Sequence, residues 1–182
     1  TPTSKKESMS LWILSDENLN LVDESDRISY LRWSPDASNL AYVSGSARKR
    51  ELMVAAAATG EKRSLGAICS ETWYEWSPDG ELIAFSAASA ADCPELRIAT
   101  ADGQALTTIA CEADSVCDWI TWSADGAILA YLCSGAGGRS LWVARSDGTD
   151  HRKLAEGQGL RYRWLPAEKG IAYWGGDSGD LW

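Results

Sequence analysis

An all-β fold built from repeated four-stranded units is what this sequence predicts. Three observations predict it: a tryptophan-centred motif that returns four times, turn residues at the same point of each repeat, and the lack of any amphipathic helical stretch. The motif runs Tyr30-Leu31-Arg32-Trp33-Ser34-Pro35-Asp36, then Trp73-Tyr74-Glu75-Trp76-Ser77-Pro78-Asp79-Gly80, then Trp119-Ile120-Thr121-Trp122-Ser123-Ala124-Asp125-Gly126, and last Arg161-Tyr162-Arg163-Trp164-Leu165-Pro166. Trp33, Trp76, Trp122 and Trp164 stand 43, 46 and 42 residues apart. A second series, Leu40-Ala41-Tyr42, Ile83-Ala84-Phe85, Leu129-Ala130-Tyr131 and Ile171-Ala172-Tyr173, keeps the same steps. Periods of about 40 to 50 residues belong to arrays and propellers, whose units bury their faces only against their neighbours.

The first strand of each unit ends in the repeat tryptophan. Ser-Pro-Asp-Gly then makes a tight turn, because proline presets φ, aspartate bonds its own backbone and glycine accepts positive φ. Leu-Ala-Tyr alternates back as the second strand. The third is Leu52-Met53-Val54, Leu96-Arg97-Ile98 or Leu141-Trp142-Val143. It turns at Ala58-Thr59-Gly60, Ala101-Asp102-Gly103 or Ser146-Asp147-Gly148, and a fourth strand follows near Leu65, Leu106 or Leu154. The alanine run Ala55 to Ala58 is too short for a helix and sits beside a turn. Four-stranded units of this length around a channel make a β-propeller.

Residues 1–9 read as a tail and residues 10–182 as the propeller domain. Leu11-Trp12-Ile13 and Leu19-Asn20-Leu21 match strands three and four, whereas the last unit supplies strands one and two and then only Leu181-Trp182. Two closures stay open. The N-terminal pair completes the last unit as a clasp, giving four blades, or the chain forms part of a larger ring, one version being a homodimer of two half-rings. Leu181-Trp182, itself the start of a third strand, would compete with Leu11-Trp12 for that place; four blades is the closure expected, with part of a larger ring as the alternative.

The pattern Trp-Ser-Pro-Asp-Gly-x-x-Ile-Ala-Phe, followed by a Leu-x-Ile strand and an Asp-Gly turn, resembles the TolB-type, WD40-like (PD40) propeller repeat. The resemblance runs from about Leu11 to Trp182. It departs from the pattern in the first unit, where Ala37 replaces glycine, and in the fourth, which has lost the serine and the aspartate. It implies a non-enzymatic scaffold that binds protein or peptide in an extracytoplasmic, periplasmic or secreted bacterial setting.

Composition narrows the partners. The 182 residues are 45% hydrophobic and 24% charged, as in globular proteins, and carry a formal charge of −9. Such a chain repels a phosphate backbone, so nucleic acid is not expected. No stretch approaches the roughly 18 apolar residues of a membrane span, and Thr-Pro-Thr-Ser-Lys-Lys is not followed by a signal core, so any signal or anchor is expected to be removed or to lie elsewhere.

Catalytic signals are weak. The single histidine, His151, follows the Asp147-Gly148 turn, where solvent exposure is expected, and there is no nucleophile elbow, phosphate loop or Cys-x-x-Cys pair. Asp36, Asp79 and Asp125 recur where a tight turn needs a carboxylate. Asp147, Asp150, Asp177 and Asp180 lie in glycine-containing turns, but none fits a twelve-residue calcium loop. No cofactor or metal is expected.

The repeat tryptophans are expected to pack between blades. Three residues earlier stand Tyr30, Trp73, Trp119 and Arg161, which by period two face the opposite way on the innermost strand near the channel mouth. With Arg32, Glu75 and Arg163 nearby, they form a candidate grip for a peptide or a sugar; the alternative is a plug of rings filling a narrow axis. Of the five cysteines Cys69, Cys93, Cys111, Cys117 and Cys133, one pairing follows from register. A three-residue turn that sets Ser123 opposite Ala127 makes Cys117 and Cys133 cross-strand neighbours, giving an expected disulfide, with buried thiols as the alternative.

The function expected is therefore a protein- or peptide-binding propeller. A sensor or gating propeller of a larger, peptidase-like enzyme and a carbohydrate-binding module are the alternatives.

Overall fold

The computed structural model describes residues 8–15, 18–69, 73–88, 94–104, 106–111, 115–135, 137–166 and 170–175, and every regular element among them is a strand. At the N-terminal end, β1 (Met9–Ser15) and β2 (Asn18–Ser25) pair as a two-stranded sheet. Three complete blades follow. The first holds β3 (Arg27–Trp33), β4 (Asn39–Gly45), β5 (Arg50–Ala56) and β6 (Lys62–Ala67). The second holds β7 (Tyr74–Trp76), β8 (Leu82–Ala88), β9 (Pro94–Thr100) and β10 (Leu106–Ala110). The third holds β11 (Val116–Trp122), β12 (Ile128–Gly135), β13 (Gly138–Arg145) and β14 (Arg152–Gly157), and a last two-stranded sheet joins β15 (Arg161–Trp164) to β16 (Ile171–Trp174). Each strand pairs antiparallel with its sequence neighbour inside a sheet, as the four-strand reading requires.

The core consists of layers between successive sheets. Leu11, Ile13 and Val22 of the first pair pack on Leu40, Tyr42 and Ala55. Val43, Leu52 and Val54 meet Tyr74, Trp76 and Phe85. Leu96, Ile98 and Ile109 meet Ile120, Trp122 and Tyr131, and Leu132, Leu141 and Val143 meet Leu160 and Tyr162. Second strands are buried on both faces, so Ala130 and Leu132 point into one layer and Tyr131 into the other. That is why Leu-Ala-Tyr reads as a continuous apolar run rather than an alternation.

The recurrent turn works as its residues dictate. The hydroxyls of Ser34, Ser77 and Ser123 donate to Oδ1 of Asp36, Asp79 and Asp125 at 2.5, 2.5 and 2.7 Å. The same oxygens accept from the backbone N–H groups of Ser38, Glu81 and Ala127. Gly80 and Gly126 take φ of 76° and 70°; Ala37 occupies the same position at 58°, a left-handed conformation that costs an L-residue about 1 kcal/mol or more.

The four-blade clasp does not form among the described residues, because β1–β2 and β15–β16 remain separate sheets. Each end pair buries one face on the adjacent complete blade, and neither layer draws β1 against β16. Leu181 and Trp182 lie outside the described residues. The expectation that every repeat tryptophan packs between blades also needs correction. Trp76 and Trp122 are buried, but Trp33 is 49% exposed: among the described residues no inner strand of a preceding blade stands beside β3, as β7 and β11 have β3 and β7 beside them.

Candidate functional site

Inner strands of neighbouring blades are tied by a repeated hydrogen bond. The indole Nε1 of Trp76 donates to the carbonyl of Arg32 (3.2 Å), and that of Trp122 donates to the carbonyl of Glu75 (3.1 Å). Trp164 Nε1 donates to Thr121 Oγ1 (3.0 Å). Each ring thus reaches the residue just before the preceding repeat tryptophan, which fixes the position along the strand at which adjacent blades meet.

Two residues before the repeat tryptophan, a second link appears in alternate blades. The buried hydroxyl of Tyr74 contacts the carbonyls of Tyr30 and Ala41, and that of Tyr162 contacts the carbonyls of Trp119 and Ala130. Burial holds both phenols well above the usual tyrosine range. Tyr30 and Trp119 both sit at bulges in their strands with φ of 54° and 50°. Both side chains are exposed, and from Trp119 to Trp122 burial alternates along β11, with Ile120 and Trp122 buried and Trp119 outward. At the corresponding place the next blade offers Ile120 instead of tyrosine.

Structure brings several of the expected site residues together. Trp73 and Trp119, 39% and 38% exposed, place their rings 6.2 Å apart at a tilt of 32°. The guanidinium of Arg161 lies 5.8 Å from the Trp119 ring, within cation–π range. Tyr30 is exposed and its carbonyl accepts from the Tyr74 hydroxyl, but among the described residues no contact joins its ring to Trp73, Trp119 or Arg161. Arg32 forms an ion pair with Glu75 of the next blade and lies 5.8 Å from the Tyr74 ring. Burial raises the Glu75 carboxyl above its ordinary value, opposed by the Arg32 charge. Arg163 lines an open cavity of about 320 Å³ with Trp119, Thr121, Tyr162 and Trp164. Sequence reasoning missed Tyr74, Tyr162 and Thr121 as its supports; the tyrosines alternating with Leu31 and Ile120 at one repeat position were the available signal.

Cys117 and Cys133 form the expected disulfide, with Cα atoms 4.1 Å apart and both residues buried. The register argument behind it was only half right. Next to the turn, Trp122 faces Leu129, one step away from the assumed pairing, and the bulge between Asp118 and Thr121 restores the register so that Cys117 faces Cys133. The Cys111 sulfur lies with these two in a group whose members are within 4.8 Å of one another. Cys93 lies outside the described residues.

His151 is exposed as expected, but its ring stacks on Trp142 (4.7 Å) and bonds the Tyr131 hydroxyl through Nε2 (2.5 Å), and partial burial lowers its pKa. Asp147 serves its own turn by accepting from the N–H of Thr149 (2.9 Å) and from its hydroxyl (2.6 Å). Asp177 and Asp180 lie outside the described residues.

Compared by sequence, the chain matches no family model and no curated protein. Its structure is similar to that of TolB from Acinetobacter baumannii, at 16% identity and a TM-score of 0.60, over 94% of this chain and 47% of that one. It is similar also to the β-propeller domain of the Trilobed protease from Pyrococcus furiosus, at 14% identity and a TM-score of 0.61, over 85% of this chain and 56% of that one. A prolyl endopeptidase gives 16% identity and a TM-score of 0.65, over 93% of this chain and 29% of that one. The chain therefore spans less than half the length of TolB and under a third of the endopeptidase. At these identities the likeness concerns architecture alone, and the architecture is that of a β-propeller, shared by TolB and by peptidase propeller domains.

Proposed function

We propose that this chain is a non-enzymatic propeller scaffold that binds a protein or peptide at the mouth of its inner strands, on Tyr30, Trp73, Trp119 and Arg161 with Arg32, Glu75 and Arg163. The observation that carries the reading is the exposed ring pair Trp73 and Trp119, with Arg161 over the Trp119 ring and neither tryptophan among the residues of the core layers. Aromatic and arginine side chains of this kind anchor protein interfaces. The Cys117–Cys133 disulfide supports an extracytoplasmic setting.

A second reading, a gating or sensor propeller of a larger enzyme, is favoured by the likeness to peptidase propellers. The experiment is a selection of random dodecapeptides displayed on phage against the wild-type chain, repeated on Trp73→Ala and Trp119→Ala. Enriched peptides that lose binding to both variants support the face. Peptides that bind all three alike, or no enrichment, contradict it.

A further inference from the structure

The residue before each repeat tryptophan is Arg32, Glu75, Thr121 and Arg163 in turn. Between the first two blades this position is neutralised, because Arg32 pairs with Glu75. Between the third blade and β15 it is not. Thr121 brings no charge, and its hydroxyl is engaged by Trp164 Nε1 and by the Tyr162 hydroxyl (2.9 Å). Among the described residues neither Arg161 nor Arg163 has an ion pair, and both are exposed. In a chain whose acids outnumber its bases by nine charges, two guanidinium groups without an ion pair among the described residues thus stand beside one aromatic cavity.

We propose that this corner, with Arg161 and Arg163 on β15 and Trp119 as its wall, takes a carboxylate of the bound peptide, so that the face selects acidic segments. The proposal rests on the reading of the face as a peptide site. The two arginines are two residues apart on one strand, roughly 7 Å at strand rise, close enough to act on one carboxylate and its neighbour. A guanidinium presents parallel N–H donors that match a carboxylate in a bidentate pair. Arg161 is already laid on the Trp119 ring, so less side-chain freedom is lost on binding. The cavity of about 320 Å³ is at the small end of ligand sites, the size for a side chain or chain end. Its Trp119 and Trp164 surfaces suit an apolar group next to the acid.

The test uses the peptides selected above, remade with each Asp and Glu changed to Asn or Gln, and separately with the C-terminal carboxylate amidated, and measured by titration calorimetry. Wild type is expected to bind the acidic form at least about tenfold more tightly than one of the amide forms, which identifies side chain or chain end as the source. The double variant R161Q/R163Q, checked by circular dichroism, is expected to bind acid and amide forms alike. Equal binding of all forms by wild type, or full acid preference in the double variant, overturns the carboxylate proposal and leaves the peptide face standing. Peptides indifferent to Trp119→Ala, or an empty selection, overturn both.

Discussion

Trp119 holds a left-handed backbone (φ 50°) at the point where the hydroxyl of Tyr162 meets its carbonyl oxygen, and Tyr74 stands in the same relation to Tyr30 (φ 54°). The buried phenol explains the bulge. It offers a donor to the carbonyl of the bulged residue, while the Trp119 ring itself is 38% exposed. Tyr162→Phe should therefore destabilise the chain by about 1 to 3 kcal/mol, the cost of leaving buried carbonyls unmet. Denaturant unfolding of the variant checks it, and an unchanged midpoint would mean the bulge does not depend on this bond.

The repeat tryptophans are not equivalent. Trp33→Ala is expected to cost under about 1 kcal/mol, since the ring is half exposed, whereas Trp76→Ala removes a buried ring and its bond to Arg32 and should cost about 3 to 5 kcal/mol. Thermal melts of the two variants side by side measure the difference.

Ala37 occupies a position that is glycine in the next two turns. Ala37→Gly should raise stability by about 1 kcal/mol by relieving the left-handed strain, less the flexibility glycine adds to the unfolded chain. The reverse change, Gly126→Ala, should lower it. Equilibrium unfolding of both gives the signs.

Much of this was legible in the sequence, for physical reasons that differ by element. The turns were readable because Ser, Asp and Gly act within a few residues of one another. The blade order was readable because Trp and Leu-Ala-Tyr recur at one period. The bulge at Trp119 was not, since it answers to a tyrosine 43 residues away. It also made the disulfide right despite a wrong turn length, because its extra residue cancels the one-step offset at Trp122. The exposure of Trp33 was hidden for a like reason, as it depends on which strands stand beside β3 among the described residues.

Reduction of the Cys117–Cys133 bond, which spans 16 residues, should lower stability by about 3 kcal/mol on a loop-entropy estimate. Peptide mapping without reductant should recover the pair linked, and unfolding with and without a dithiol gives the energy.

Acid should weaken the turns. Asp36 is held near 2 by hydrogen bonds from Ser34 and Ser38, and Asp79 is lowered mainly by Ser77. A folded pKa below the ordinary value of 3.8 means that the folded state binds fewer protons, so this stability is present above about pH 4 and is lost as pH falls towards 2. Glu75, raised by burial, contributes the opposite slope just above its ordinary value. A melting-temperature profile from pH 6 to pH 2 should fall at the acid end, less steeply in Asp36→Asn.

The central claim is that Trp119 belongs to a binding face and Trp122, three residues on, to the core. Parallel measurement of melting temperature and peptide affinity for Trp119→Ala and Trp122→Ala tests it most directly. The account predicts that Trp119→Ala melts close to wild type and binds the selected peptide about thirtyfold more weakly, a loss of about 2 kcal/mol, while Trp122→Ala loses about 3 to 5 kcal/mol of stability. If Trp119→Ala unfolds as readily as Trp122→Ala, the ring is a plug of the propeller's axis and the face is not a binding site.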